Sequence, residues 1–103
     1  MVRIANADAL VKAARRYRDA AEALRVWVKV VQDARWKNIA DVRLVYPSAD
    51  GVTVGSGAVI TVFNVRGNRY RLLTYLTYRA ELVTVIELLT HADYNKEKWK
   101  DRL

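Results

Sequence analysis

Cysteine is absent from this chain of 103 residues, which excludes a disulfide framework and any thiolate metal site. Histidine occurs once, at His91, so no cluster of imidazoles is on hand to hold a metal. Proline also occurs once, at Pro47, and no stretch approaches the ~18 consecutive apolar residues of a membrane span. The first ten residues, MVRIANADAL, lack the apolar core of a signal peptide. A soluble, cytoplasmic protein without a membrane partner is expected. The Gly55-Ser56-Gly57 stretch has no following Lys and no helical pattern behind it, so it is no phosphate-cradling loop. Acidic residues are missing from a long central stretch: between Asp50 and Glu81 stand four Arg and neither Asp nor Glu.

Hydrophobic residues make up 52% of the chain, enough for one core, and residues 1–103 read as a single domain. Eighteen Lys and Arg against 11 Asp and Glu leave a net charge of +7. That balance suits nucleic acid or another polyanion, or else a solubilising surface. The acid-free central stretch favours the first, because it concentrates the positive field.

That stretch holds the strongest structural signal, a hairpin from Val59 to Tyr78 in which two Val-, Ile-, Thr- and Tyr-rich runs flank Gly67-Asn68. With those two as loop residues, Arg66 faces Arg69, Asn64 faces Arg71 and Val62 faces Leu73 on one side. The other side carries Val65 with Tyr70, Phe63 with Leu72, and Val59 with Leu76. Arg66, Arg69 and Arg71 gather at one end, where an anionic ligand is expected.

Ahead of the hairpin, Val2 to Ile4 suit an edge strand. Leu10, Ala13, Ala14 and Tyr17 recur at helical spacing behind Asn6 as cap. Asp19 and Glu22 form a capping-box pattern for a second helix whose apolar stripe is Leu24, Trp27, Val28 and Val31. The two predict an antiparallel helix hairpin. Trp36 beside Lys37 could stack on a base but is read as sealing that hairpin. Asn38 caps a short helix ending before Pro47, and residues 47–57 are a turn-rich linker with room for one short strand. A third long strand, Leu82 to Leu89, follows the hairpin. A two-residue turn at Arg79-Ala80 puts Glu87 beside Leu72, and a three-residue turn puts it on the arginine side; both stay open. The pattern is α+β, a three- to four-stranded antiparallel sheet with the helix hairpin packed on one face and a short C-terminal helix.

That last helix starts at Thr90, with Asp93 three residues on. His91, Tyr94 and Lys98 share one helical face. A lone His can be structural, solvated or an acid–base group. Lys96, Lys98, Lys100 and Arg102, mixed with Glu97 and Asp101, read either as a solvated face or as a phosphate or ribosome contact.

Tyr46-Pro47-Ser48-Ala49-Asp50, Val62-Phe63-Asn64-Val65, Gly67-Asn68-Arg69-Tyr70-Arg71-Leu72, Thr90-His91-Ala92-Asp93-Tyr94 and Trp36-Lys37 together resemble the HigB toxins. These are small mRNA endonucleases of bacterial toxin-antitoxin systems within the RelE-like group, and the resemblance covers nearly the whole chain in order. It implies a RelE-like fold, ribosome-dependent cleavage of mRNA, and a cognate antitoxin that usually carries a helix-turn-helix domain. No cofactor is implied. RNA cleavage by the neighbouring 2′-hydroxyl, without metal, needs a proton acceptor, cations around the phosphate and a donor for the leaving oxygen. Arg71, His91 and Tyr94 are the expected catalytic residues, with Arg66, Asn68, Arg69, Lys96 and Lys98 holding RNA. Many relatives carry a basic residue where this chain has Ile86, a departure that would remove one phosphate contact. Binding of RNA or the ribosome without cutting is the alternative, and a toxin directed at DNA topology on the same scaffold is a third.

Overall fold

The computed structural model describes residues 2–103. Strand β1 (Arg3–Ala5) leads into helix α1 (Asp8–Arg16), a 3₁₀ turn (Arg18–Ala20), α2 (Ala21–Asp33) and α3 (Ile39–Val45). Strands β2 (Asp50–Thr53), β3 (Val59–Val65), β4 (Tyr70–Thr77) and β5 (Leu82–Thr90) follow, then two short helices, α4 (His91–Asn95) and α5 (Trp99–Arg102). The architecture is α+β as expected, but the sheet has five strands in the order β1-β5-β4-β3-β2 and is mixed. The N-terminal strand runs parallel to β5, with Arg3 opposite Leu82, and the linker supplies β2 as the other edge.

The hairpin register follows the alternation of its side chains: Val65 pairs with Tyr70, Asn64 with Arg71, Phe63 with Leu72 and Val62 with Leu73. Pairing stops at Thr61 and Thr74, so Val59 does not oppose Leu76 but pairs with Thr53. The loop is a four-residue turn, Arg66 to Arg69, closed by the Arg69 N–H donating to the Arg66 carbonyl at 3.3 Å. Gly67 adopts φ +63°, and Arg66 itself φ +52°. The left-handed region costs a residue with a Cβ about 1–2 kcal/mol, so other contacts must hold Arg66 there.

A bulge resolves the position of Glu87. Val85 pairs with Thr74 in the register of a two-residue turn, but Glu87 pairs with Leu73, so Ile86 is the extra residue. Glu87 thereby reaches the arginine side, where it pairs with Arg102 at 2.8 Å.

Both faces of the sheet are covered. Beneath α1, α2 and α3, Phe63 meets the edge of Trp27 at 5.5 Å, stacks with Trp36 at 6.1 Å and meets Tyr46 at 5.3 Å. Trp36 thus seals the apolar core. On the opposite face Val62, Leu73 and Leu89 pack with Ile60, Val54 and Trp99, the last only 1% exposed. Alternation along the hairpin predicts a basic face here. Instead, a second small core fills it up to the row of Arg71, because α5 brings one tryptophan back across the strands.

Three cap assignments divide. Asn38 accepts from the Asp41 N–H at 3.1 Å, while Asp41 accepts from the Lys37 N–H at 2.9 Å, a reciprocal cap. Asn6 caps nothing with its side chain: at φ +60°, it donates from Nδ2 to the Val85 carbonyl at 2.8 Å and ties the start of α1 to β5. Asp19 is no cap either, since α2 begins after Ala20 without a side-chain cap, and Glu22 bonds Arg25 instead.

Candidate functional site

The turn Arg66–Arg69 separates two groups of polar side chains. On the helix side, the Asp19 carboxylate accepts from the Tyr70 hydroxyl at 2.5 Å, lies 3.0 Å from the Arg69 guanidinium and 3.2 Å from that of Arg66. The Asp19 carbonyl takes a further bond from Arg66 at 3.0 Å. The Tyr70 hydroxyl, and after it Arg69 and Arg66, hold the Asp19 carboxyl below its ordinary value of 3.8 despite some desolvation. The same bond, with burial, pushes the Tyr70 phenol up. Arg66 and Arg69, expected to hold RNA, are thus engaged by an internal carboxylate.

On the other face, the Arg71 guanidinium carbon sits 5.6 Å from the centroid of the Tyr94 ring. One Arg71 Nη donates to the carbonyls of Asn68, at 3.0 Å, and Tyr70, at 3.2 Å. Among the described residues no carboxylate pairs with it. Tyr94 stacks at 5.2 Å and 19° on Trp99, whose indole N–H donates to the Tyr94 carbonyl at 3.0 Å. Burial first, and the charge of Asp50 second, push the Tyr94 phenol above its ordinary value. The phenol carries its proton at neutral pH, as an ordinary tyrosine does, and the shift makes it a weaker acid. Asp50, in the stretch read as mere linker, reaches the site electrostatically while pairing with Arg43 at 3.6 Å.

Thr90 caps α4 through the Asp93 N–H at 3.1 Å. The His91 N–H donates to the Arg69 carbonyl at 2.9 Å, which fixes the start of α4 to the hairpin turn. The exposed His91 ring has Nε2 3.3 Å from Asn95 Nδ2. Asn68, on the same turn, faces Asn64 with its side chain at 3.3 Å.

The expected site therefore assembles in part. Arg71, Tyr94, Asn68 and the backbone of His91 converge on one side of the turn. Arg66 and Arg69 turn away to Asp19. Lys98 leaves the helical face of His91 and Tyr94, because α4 ends at Asn95 and the chain breaks at Glu97, φ +60°. Lys96 pairs with Asp93 at 3.5 Å, and both lysines line a cleft with Arg16, Glu87 and Arg102. Another cleft, of about 380 Å³ between Lys37, Arg43, Val59 and Tyr78, contains none of the expected site residues. Ile86 packs against the Trp99 core as an apolar residue on the Arg71 side.

Two members were missed. Trp99 stands between Lys98 and Lys100 of the basic tail, and a lone tryptophan among lysines is itself a signal of burial. Asp19 fits a capping box by spacing, and nothing local distinguishes that from a partner 51 residues away. No group of His, Asp and Glu among the described residues could hold a metal ion. No helix there is long and apolar enough to cross a membrane.

No curated protein matches the chain significantly. Residues 20–97 match the family model HigB_toxin, described as the RelE-like toxic component of a toxin-antitoxin system. The matched span runs from the 3₁₀ turn through β5 and α4, and so takes in Asp19's neighbour Ala20, the arginine turn, Arg71, His91 and Tyr94. The chain belongs to the HigB toxins, RelE-like toxic components of toxin-antitoxin systems.

Proposed function

We propose that the protein is a ribosome-dependent mRNA endonuclease that cuts by attack of the 2′-hydroxyl on the adjacent phosphate. The observation that carries this reading is Arg71, a guanidinium held over the Tyr94 ring and by two backbone carbonyls, with no carboxylate neutralising it among the described residues. Its remaining N–H groups are free to meet a phosphate in paired fashion and to follow the charge that develops there. Tyr94, kept protonated, suits donation to the leaving 5′-oxygen or stacking beneath a base. His91, at the rim of the same turn, is the side chain proposed to move the nucleophile's proton. Asn68 offers amide contacts to RNA, and Lys96 and Lys98 would hold more distant backbone.

The partners in this reading are mRNA on the ribosome and a cognate helix-turn-helix antitoxin, in the cytoplasm. Induction without the antitoxin arrests growth and produces new 5′ ends within translated mRNAs, and Arg71→Ala abolishes both. Whole transcripts at full toxicity would sink the endonuclease. Binding without cleavage is the second reading: Ile86 packs as an apolar residue on the Arg71 side, where the resemblance to the HigB toxins implies a basic one, and this reading predicts salt-sensitive RNA binding with intact transcripts.

A further inference from the structure

We infer that Asp19 is the positioning residue of the Arg71 site, acting through the hairpin turn from the opposite face of the sheet. The chain of contacts is continuous. Asp19 holds Arg66 by its carboxylate and its carbonyl, and Arg69 and Tyr70 by its carboxylate. Arg66 is the residue whose φ of +52° sets the entry to the turn, so two contacts to Asp19 stabilise a conformation the residue resists. The turn presents the Asn68 carbonyl to Arg71 and the Arg69 carbonyl to the His91 N–H. One carboxylate thus orients both the cation and the helix that carries His91 and Tyr94, without touching either.

A rival role is that Asp19 stands in for an RNA phosphate and is displaced by substrate. Tyr70 argues against it. Its ring is buried against Tyr17 at 5.0 Å, and a departing carboxylate would leave the phenol without its acceptor. A fixed brace keeps that bond.

The kinetic part of the inference rests on the endonuclease reading, so the test has a part that does not. In the intact protein, Asp19→Asn accelerates hydrogen exchange of the His91 amide about tenfold and shifts the Arg71 guanidinium resonance, while the remaining sheet amides keep their protection. On programmed ribosomes it lowers the single-turnover cleavage rate about tenfold with ribosome affinity changed less than about twofold. Placed on Arg71→Lys, it costs nothing further. Tyr70→Phe, which removes one donor from the carboxylate, gives the same pattern at lower amplitude and serves if Asp19→Asn does not fold. Unchanged exchange at His91, an additive loss in the double variant, or faster cleavage each overturns the inference. Wild-type protein that never cuts overturns the endonuclease alone, and the exchange result still decides the role of Asp19.

Discussion

Arg71 and Tyr94 are joined as cation and ring, 5.6 Å from guanidinium carbon to ring centroid, and the ring's other neighbour is Trp99, stacked at 5.2 Å. The Arg71 guanidinium therefore rests on the second hydrophobic core through one tyrosine. In the proposed endonuclease, activity and stability meet at that contact.

Replacing Arg71 by Ala is expected to slow mRNA cleavage on the ribosome by about 10²–10³, the scale of losing one donor to a developing oxyanion. Arg71→Lys recovers only part, because an ammonium keeps the charge without the paired geometry. Single-turnover rates measure both, and equal rates for Arg71→Ala and wild type would remove Arg71 from the site.

Trp99→Ala is expected to destabilise the protein by about 3–5 kcal/mol, the range for deleting a buried aromatic. Trp99 is 1% exposed and holds Tyr94 from behind. Trp99→Phe restores most of the volume but not the N–H to the Tyr94 carbonyl, so its cost is smaller. Urea unfolding read by circular dichroism gives both values.

The Asp19 cluster contributes to the acid limb of stability, beside Glu22, whose carboxyl Arg25 also holds below its ordinary value. Its carboxyl is held below 3.8 in the folded chain, chiefly by the Tyr70 hydroxyl, so folding favours the ionised form. That contribution is complete above pH 3.8 and is lost as pH falls from there through the folded value. Tyr70 has the opposite sign: its raised phenol stabilises the fold below pH 10.0 and the gain is lost as pH rises beyond it. Urea midpoints against pH therefore decline at both ends, and Asp19→Asn flattens the acid decline. A wild-type acid limb identical to that of Asp19→Asn would exclude Asp19 as its source.

Ile86→Lys would supply the cation that the resemblance to the HigB toxins implies at this position. Ile86 is half-buried at the bulge, and a lysine stem covers part of the same surface. The expected result is about 1 kcal/mol less stability. The exposed cation is expected to contribute at most about 1 kcal/mol to the transition state, or about fivefold in rate. A slower enzyme would show that Ile86 matters for packing alone.

The hairpin was legible because a turn dipeptide and strict alternation act within a dozen residues, and Val62 to Val65 cannot slip without exposing Phe63. Asn38 and Thr90 were legible for the same reason, since a cap serves a donor three residues away. What escaped was non-local. Asp19 answers to a turn that lies 47 to 51 residues along the chain, and the capping box it mimics is satisfied by spacing alone. Trp99 returns over strands laid down long before it. The parallel pairing of β1 also depends on which edge of the sheet α1 and α2 leave free. Of the expected site residues, Arg71 and Tyr94 lie together, whereas the ion pairs of Arg66 and Arg69 with Asp19 were not legible, because alternation says nothing about where a long side chain reaches beyond the last strand residue.

The three tryptophans divide between the two cores, Trp27 and Trp36 under the helices and Trp99 under the C-terminal turn. Their environments differ: the Trp27 indole N–H is buried without an acceptor among the described residues, while that of Trp99 is bonded at 3.0 Å. Trp27 should emit at the blue end of the protein's fluorescence and Trp99 further red. Trp36, at 9% exposure the least buried of the three, shares the face of Trp27, so replacing it by Phe leaves one optical reporter for each face of the sheet. In that variant, docking of a partner against the Arg71 face should change the Trp99 emission and leave that of Trp27 still.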